Sequence, residues 1–132
     1  MIKARMAKEA IVRLENRIGA LALVTRNIAD KGLCIEAVIA TLEGGDAVIR
    51  MISDDHQRII DALREQGLQV QEARVVTAEI EHRPGLLRQI TEKLARQNID
   101  LLYLYGTAAP GDKCLVVFSS TNNDWAVKVL NE

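Results

Sequence analysis

The chain has 132 residues, 48% of them apolar and 27% charged, with a formal net charge of -1 at pH 7. This composition is typical of a globular protein of one or two small domains and excludes disorder as its main state. The charge balance offers no field for nucleic acid, and the longest apolar runs are about a quarter of the roughly 20 residues that a membrane-spanning helix needs. Because no apolar signal segment follows the first residues, we expect a cytoplasmic protein with no membrane and no nucleic-acid partner.

The first half of the sequence predicts a strand, a helix, a hairpin, a second helix and a last strand. A stripe of Leu21, Val24 and Ile28 at helical spacing marks the first helix, which Gly32 ends. Ser53 is expected to cap the second helix, with acidic residues in its first turn. The strands are expected at 10–14, 33–42, 47–52 and 68–74, with a hairpin turn at 44–46; the second helix has Ile59, Ile60 and Leu63 on its apolar side and ends at Gly67.

The second half predicts the same order but stops after its second helix. Alternating apolar residues over 76–80 predict a strand, and a stripe of Leu87, Ile90 and Leu94 predicts a helix that ends at Asn98. Strands follow at 99–105 and 114–118, with a turn at 110–112 between them. The last helix is expected at 122–130, with Trp125 and Val129 facing inward.

The two halves are related by an internal repeat. Over 58 aligned residues, ten identical pairs recur 66 positions apart without a gap, for example Glu15 with Glu81 and Gly19 with Gly85, and 66 is half of the chain. Two βαββαβ units follow, which predicts an α+β fold of two ferredoxin-like units with antiparallel sheets that pair side by side. The domains are expected at 9–74 and 75–132.

The second unit lacks a fourth strand of its own, because the sequence ends directly after its last helix. At the same spacing of 66, the segment 2–8 aligns with 68–74, the fourth strand of the first unit. We therefore hypothesise that residues 1–8 supply the missing strand, in their own chain or in a partner chain. A frayed terminus is the alternative.

The turns between the first strand and first helix of each unit are the candidate sites, since the copies agree best there. Gly19 and Gly85 would let a ligand approach the backbone, and the free N–H groups of a helix start suit the carboxylate of an amino acid. The alternative is that both glycines only make a tight turn.

These segments resemble the ACT domain, a small regulatory module of amino-acid metabolism. Glu-Asn-Arg-x-Gly-x-Leu at 15–21 and Glu-His-Arg-Pro-Gly-Leu-Leu at 81–87, each followed by a helix and a break at 31–33 or 97–99, carry the resemblance over nearly the whole chain. It is closest to stand-alone tandem ACT proteins without a catalytic domain. The family implies amino acids bound at the seam between two domains.

The resemblance also implies which residues contact the ligand. The matching turn positions are Asn16, Arg17, Ile18, Gly19, Ala20 and Leu21 in the first copy and His82, Arg83, Pro84, Gly85, Leu86 and Leu87 in the second, and the second-strand positions are Cys34 and Asp100. Asp100 would neutralise a ligand ammonium, which Cys34 would do poorly. Ile18 stands where the family often has proline, and His82 where it often has asparagine or aspartate.

Other residue types predict no catalytic role. Cys34 and Cys114 lie in apolar runs and are expected as reduced, buried thiols, and His56 as a solvated histidine. The sequence shows no phosphate-binding glycine loop, no paired acids and no nucleophile with a partnered base, so we expect no enzyme, no metal site and no cofactor. The preferred hypothesis is an amino-acid-binding, allosteric homodimer that acts on an enzyme or a regulator as partner; the alternative is a regulatory subunit that has lost its ligand site.

Overall fold

In the computed structural model of the protein, which describes residues 2–108 and 113–132, six strands and four helices follow one another in the predicted order. The predicted hairpin turn at 110–112 lies outside the described residues. The elements are β1 (Lys3–Glu15), α1 (Ala20–Asp30), β2 (Ile35–Glu43), β3 (Asp46–Ser53), α2 (His56–Glu65), β4 (Gln69–Glu81), α3 (Leu86–Arg96), β5 (Leu101–Ala108), β6 (Lys113–Ser120) and α4 (Asn123–Asn131).

The chain divides into two compact units. One unit is Lys8–Ala73, with strand order β2-β3-β1-β4; the other consists of the segment up to Ala7 together with Arg74–Glu132, with strand order β1-β4-β6-β5. The strands β1 and β4 each contribute one segment to each unit. The predicted breaks within 2–14 and 68–80 are therefore wrong, because each pair of predicted strands is one continuous 13-residue strand.

Each unit has one hydrophobic core between its strands and its two helices. In the Lys8–Ala73 unit, Val12 and Ile49 of the strands pack with Ile28 of α1 and Ile60 of α2. In the other unit, strand and helix residues pack in the same way around Phe118, which is fully buried. Both helices of a unit thus cover one face of its antiparallel strands, which confirms the predicted ferredoxin-like fold class.

The strand register corrects the ungapped repeat. Leu14 pairs with Ala47 in the first copy, whereas Ile80, which is 66 positions after Leu14, pairs with Cys114, which is 67 positions after Ala47. The second hairpin is therefore one residue longer than the first. From β3 and β6 onward, the equivalent positions are 67 apart, so Ser53 corresponds to Ser120 rather than to Ser119 as the ungapped alignment predicts.

The residues that end the helices were predicted correctly, whereas the cap of α2 and the orientation of Trp125 were not. Gly32, Gly67 and Asn98 have φ of 70°, 75° and 58°, the left-handed conformation expected where a helix stops. Ser53 is not a cap, because it is the last residue of β3 and Asp55 caps α2 instead. Trp125 is also not inward-facing, since 41% of its surface is exposed.

Candidate functional site

The turn from β1 to α1 is held in place by its backbone. Asn16 N donates to Gly45 O at 3.1 Å, and Ala20 N donates to Arg17 O at 3.0 Å. Gly19 at the start of the helix has φ of 89°, and Gly85 in the equivalent turn has φ of 91°. A Cβ at either glycine would meet no atom of the described residues within 4 Å, so the need for glycine arises from the backbone conformation and not from crowding.

The helices that follow these turns begin without a side-chain cap among the described residues, whereas the other two helices are capped. Asp55 accepts a hydrogen bond from Arg58 N at the start of α2, and Asn122 accepts one from Trp125 N at the start of α4. The first N–H groups of a helix have no partner within the helix itself. The N–H groups of Ala20 and Leu86 donate back into their turns, to Arg17 O and Arg83 O. The next two N–H groups of α1 and of α3 are the ones left for an anion, which the positive end of the helix dipole favours there.

A cleft of about 370 Å³ lies beside the start of α1, between the turn and the β2–β3 hairpin. We call it the first cleft. Its walls are mainly apolar, with an amide, a guanidinium and a hydroxyl as its polar groups. The lining residues are Asn16, Arg17, Gly19, Ala20, Leu21, Ala22, Ala40, Thr41, Leu42, Ala47 and Ile49.

The second cleft, of about 330 Å³, occupies the equivalent place in the other unit. Corresponding positions line both clefts once the longer hairpin is taken into account, for example Thr41 with Thr107 and Ala47 with Cys114. The lining residues are Ile80, Glu81, His82, Arg83, Leu86, Leu87, Leu104, Gly106, Thr107, Cys114 and Val116. The clefts therefore share a position in the fold and differ in chemistry, because the second has an imidazole and a thiol.

Comparison with known proteins identifies this repeated unit. A family model described as the ACT domain pair matches residues 6–132. The chain belongs to this family. A sequence comparison with curated proteins finds no match.

Solved structures share this ACT pair fold. Protein BT0572 from Bacteroides thetaiotaomicron superposes with a TM-score of 0.90 at 26% identity, over 98% of this chain and 89% of that one. The regulatory subunit of aspartate kinase from Thermus thermophilus, in a ligand-free form, gives 0.68 at 12% identity, over 98% and 94%. Aspartokinase alpha and beta subunits give 0.67 at 15% identity, over 98% and 94%. At 12% and 15% identity, the similarity to the two aspartate kinase structures shows the fold alone.

The predicted turn residues of the ACT pair fall partly in the clefts. Asn16, Arg17, Gly19, Ala20 and Leu21 line the first cleft, and His82, Arg83, Leu86 and Leu87 line the second. Ile18 is fully exposed and lies outside the lining of the first cleft, and Pro84 and Gly85 lie outside that of the second.

The predicted second-strand residues lie at the other end of their ACT units. The backbone N–H of Cys34 donates to Asp54 just after β3, and that of Asp100 donates to Thr121 just after β6. In the first unit, the turn lies beside Asp46 at the opposite end of β3. The eight residues of β3 span about 23 Å, so no small ligand touches the turn and Cys34 of the same unit.

The thiols do not occupy the buried positions predicted for them. Both cysteines are free, but Cys34 is exposed and Cys114 is partly exposed. Cys114 Sγ lies 3.3 Å from His82 Nδ1 in the second cleft. This contact between a thiol and an imidazole was not predicted from the sequence. Its prediction requires the register of β6 against β4, which pairs Cys114 with Ile80, two residues before His82.

Metal and membrane features are not found among residues 2–108 and 113–132. In that part of the chain, no group of three or more His, Cys, Asp or Glu side chains could hold a metal ion. The helices there are all too short or too polar to cross a membrane.

Proposed function

We propose that this ACT pair is a regulatory protein, not a catalyst, and that it binds a small amino acid at its clefts. The observation that carries the proposal is the repeated geometry: in both units, a cleft opens beside a glycine turn and an uncapped helix start. The proposed setting is the cytoplasm, where free thiols such as Cys34 and Cys114 stay reduced.

The lining of the first cleft suits the two ends of an amino acid. A carboxylate would accept from the N–H groups of Leu21 and Ala22, with Arg17 as a counter-charge. An aliphatic side chain would contact Leu42 and Ile49. Ligand sites usually have volumes of about 300 to 1,000 Å³, and the volume of the first cleft lies near the lower end of that range. The first cleft therefore favours a small ligand.

The ammonium group of the ligand needs a partner that the turn does not supply. We propose that a second-strand residue of another ACT unit supplies it, with Asp100 as the carboxylate. Because Asp100 and Cys34 lie far from the turns of their own units, this arrangement requires units, or copies of the chain in a homodimer, to pair at the site. A ligand that bridges two units favours one packing of them, and an enzyme or regulator that recognises that packing would respond.

A thermal-shift panel of the proteinogenic amino acids tests the proposal. A ligand at about 100 times its dissociation constant stabilises the folded state by roughly 2.7 kcal/mol, which is a clear increase in the melting temperature for a protein of this size. We expect one amino acid, or a few related ones, to give this increase. A flat panel would contradict the proposal and favour a regulatory subunit without a ligand site.

Two matched variants identify the working cleft. Leu21→Glu and Leu87→Glu each place a carboxylate in the first turn of a helix, at positions that are 43% and 48% exposed, so the fold should tolerate them. The new carboxylate competes with an anionic ligand for the helix start. Each variant should abolish the ligand response of its own cleft without lowering the melting temperature of the ligand-free protein.

Leu23→Glu is the control. Leu23 lies on the same helix as Leu21 and is 48% exposed, but it does not line the first cleft. It should keep the full ligand response. If Leu23→Glu and Leu21→Glu reduced the response equally, the effect would be one of net charge and the assignment of the cleft would be wrong.

A further inference from the structure

The second cleft contains a pair of groups that the first cleft lacks. Cys114 Sγ and His82 Nδ1 are 3.3 Å apart, and both residues line the cleft. At the equivalent positions the first cleft has Ala47 and Asn16. Since binding of an amino acid requires neither a thiol nor an imidazole, the pair points to chemistry beyond the proposed function.

The strand register brings the two groups together. Cys114 pairs with Ile80 across β4 and β6, and His82 lies one residue beyond the end of β4, at the start of the turn. This register places Cys114 Sγ next to His82 Nδ1. Cys114 packs partly against the core, which limits its movement, and it is partly exposed on the side of the cleft. The thiol is therefore held beside the imidazole and can be reached from solvent.

We propose that Cys114 is a thiol-exchange site for small disulfides, with His82 as its base. The Sγ–H proton passes to His82 Nδ1 as the sulfur attacks one sulfur of the disulfide. The S–S bond of the reagent breaks, and its leaving thiolate takes the proton from the imidazolium. Cys114 is oxidised to a mixed disulfide, the reagent is reduced to one equivalent of thiol, and no other oxidant is needed.

The other cysteine is an internal control. Cys34 is the more exposed thiol, but among the described residues no hydrogen bond joins its sulfur to an imidazole: His82 contacts Cys114, and His56 Nε2 is bonded to Glu72. If exposure alone decided the rate of exchange, Cys34 would react first. If the base decides it, Cys114 reacts first.

The adduct also has a consequence for ligand binding, and this part rests on the proposed function. A group attached to Cys114 occupies the second cleft and leaves the first cleft, which has Ala47 at that place, unchanged. A disulfide would thus switch off one of two ligand sites.

The experiment treats the full-length reduced protein with hydroxyethyl disulfide and follows each cysteine by peptide mass spectrometry. We expect Cys114 to be modified faster than Cys34, and His82→Asn, which copies the first cleft, to slow Cys114 by about tenfold or more. Cys34→Ser should leave the rate at Cys114 unchanged, and Cys114→Ala should leave only the slow adduct at Cys34.

Two results would overturn the proposal: faster modification of Cys34 in the wild-type protein, or equal rates at Cys114 in wild-type and His82→Asn proteins of equal melting temperature. The comparison within the wild-type protein needs no variant to fold. Because no amino acid is present in this experiment, its failure leaves the thermal-shift result standing, and a flat thermal-shift panel leaves the exchange rates standing.

Discussion

At the scale of single residues, His56 shows how a polar side chain can be more constrained than its sequence context indicates. His56 was predicted to be solvated, but only 19% of its side chain is exposed, and its Nε2 lies 2.7 Å from Glu72 Oε1. Its Nδ1 is buried without a partner among the described residues. The hydrogen bond from His56 is the main cause that lowers the pKa of Glu72 below its usual 4.5.

This lowered pKa predicts a dependence of stability on pH. A carboxyl group with a lower pKa in the folded state stabilises the protein above its unfolded pKa, and this contribution is lost as the pH falls through the folded value. Glu72→Gln should therefore lower the urea midpoint near neutral pH. The difference between the two midpoints should narrow as the pH falls below the ordinary carboxyl value of about 4.3, and it should vanish once the pH is below the lowered pKa of Glu72.

Glu36→Gln is the control for Glu72→Gln. Glu36 is an exposed carboxylate on β2, so its replacement changes the net charge by the same amount. It should leave the midpoint nearly unchanged near neutral pH. A loss equal to that of Glu72→Gln would show that the net charge, and not the contact with His56, determines the effect.

The functional residues could be predicted from the sequence only where one segment contains the whole feature. The glycine turns at 16–19 and 82–85 are local, and they were found as candidate sites. The pair of Cys114 and His82 depends on the register of β6 against β4, which a longer hairpin shifts by one residue. A one-residue slip moves a side chain to the other face of a strand, so an ungapped repeat could not predict this contact.

At the scale of the element, the start of α2 has two nearby residues that could each cap the helix. Both Ser53 and Asp55 are residue types that cap helices, and Ser53 was predicted to do so. Ser53 instead ends β3, and its Oγ is buried without a partner among the described residues. Asp55 caps the helix through Arg58 N at 3.2 Å.

These two residues give opposite expectations for substitution by alanine. Asp55→Ala should lower the free energy of unfolding by about 1 kcal/mol, because the Arg58 N–H loses its acceptor. Ser53→Ala removes a buried hydroxyl that makes no hydrogen bond, so it should be neutral or slightly stabilising. Urea unfolding followed by circular dichroism measures both changes. A larger loss from Ser53→Ala than from Asp55→Ala would contradict the assignment of the cap.

The number, order and type of elements were predictable from hydrophobic periodicity, whereas strand continuity and helix phase were not. The segments 2–8 and 10–14 were predicted as separate strands, yet β1 runs without a break through both. In α4, Ala126, Val129 and Leu130 form the buried stripe, and Trp125 lies beside it with its indole N–H donating to Gln97. Trp125 and Val129 were both predicted to face inward, and of the two only Val129 is buried.

At the scale of the whole molecule, the beginning of β1 is bonded to the end of α4, the last helix of the chain. Ile2 and Ala4 are each 8% exposed and belong to the core of the Arg74–Glu132 unit. Asn131 at the end of α4 binds Ala4 twice: Ala4 N donates to its Oδ1 and its Nδ2 donates to Ala4 O, both at 2.8 Å. That the segment 1–8 supplies the fourth strand of the second domain, in its own chain or a partner chain, remains a proposal.

Deletion of residues 1–7 tests the role of this segment, because it removes buried apolar surface and both bonds to Asn131. Loss of Ile2 and of two hydrogen bonds should cost roughly 3 to 5 kcal/mol. This is a large share of the free energy of unfolding of a typical domain, which is about 5 to 15 kcal/mol. The only tryptophan, Trp125, lies in the Arg74–Glu132 unit, so its fluorescence reports that unit alone, whereas circular dichroism reports both. The fluorescence transition should shift to lower temperature more than the circular-dichroism transition, and a peptide of residues 1–7 added in excess should reverse part of the shift.

Asn131→Ala should lower the same fluorescence midpoint by a smaller amount, because the loss of its two hydrogen bonds costs about 2 kcal/mol. An unchanged fluorescence midpoint after the deletion would show that the segment does not stabilise this unit, and restoration by a second, intact copy of the chain would indicate exchange of the strand between copies.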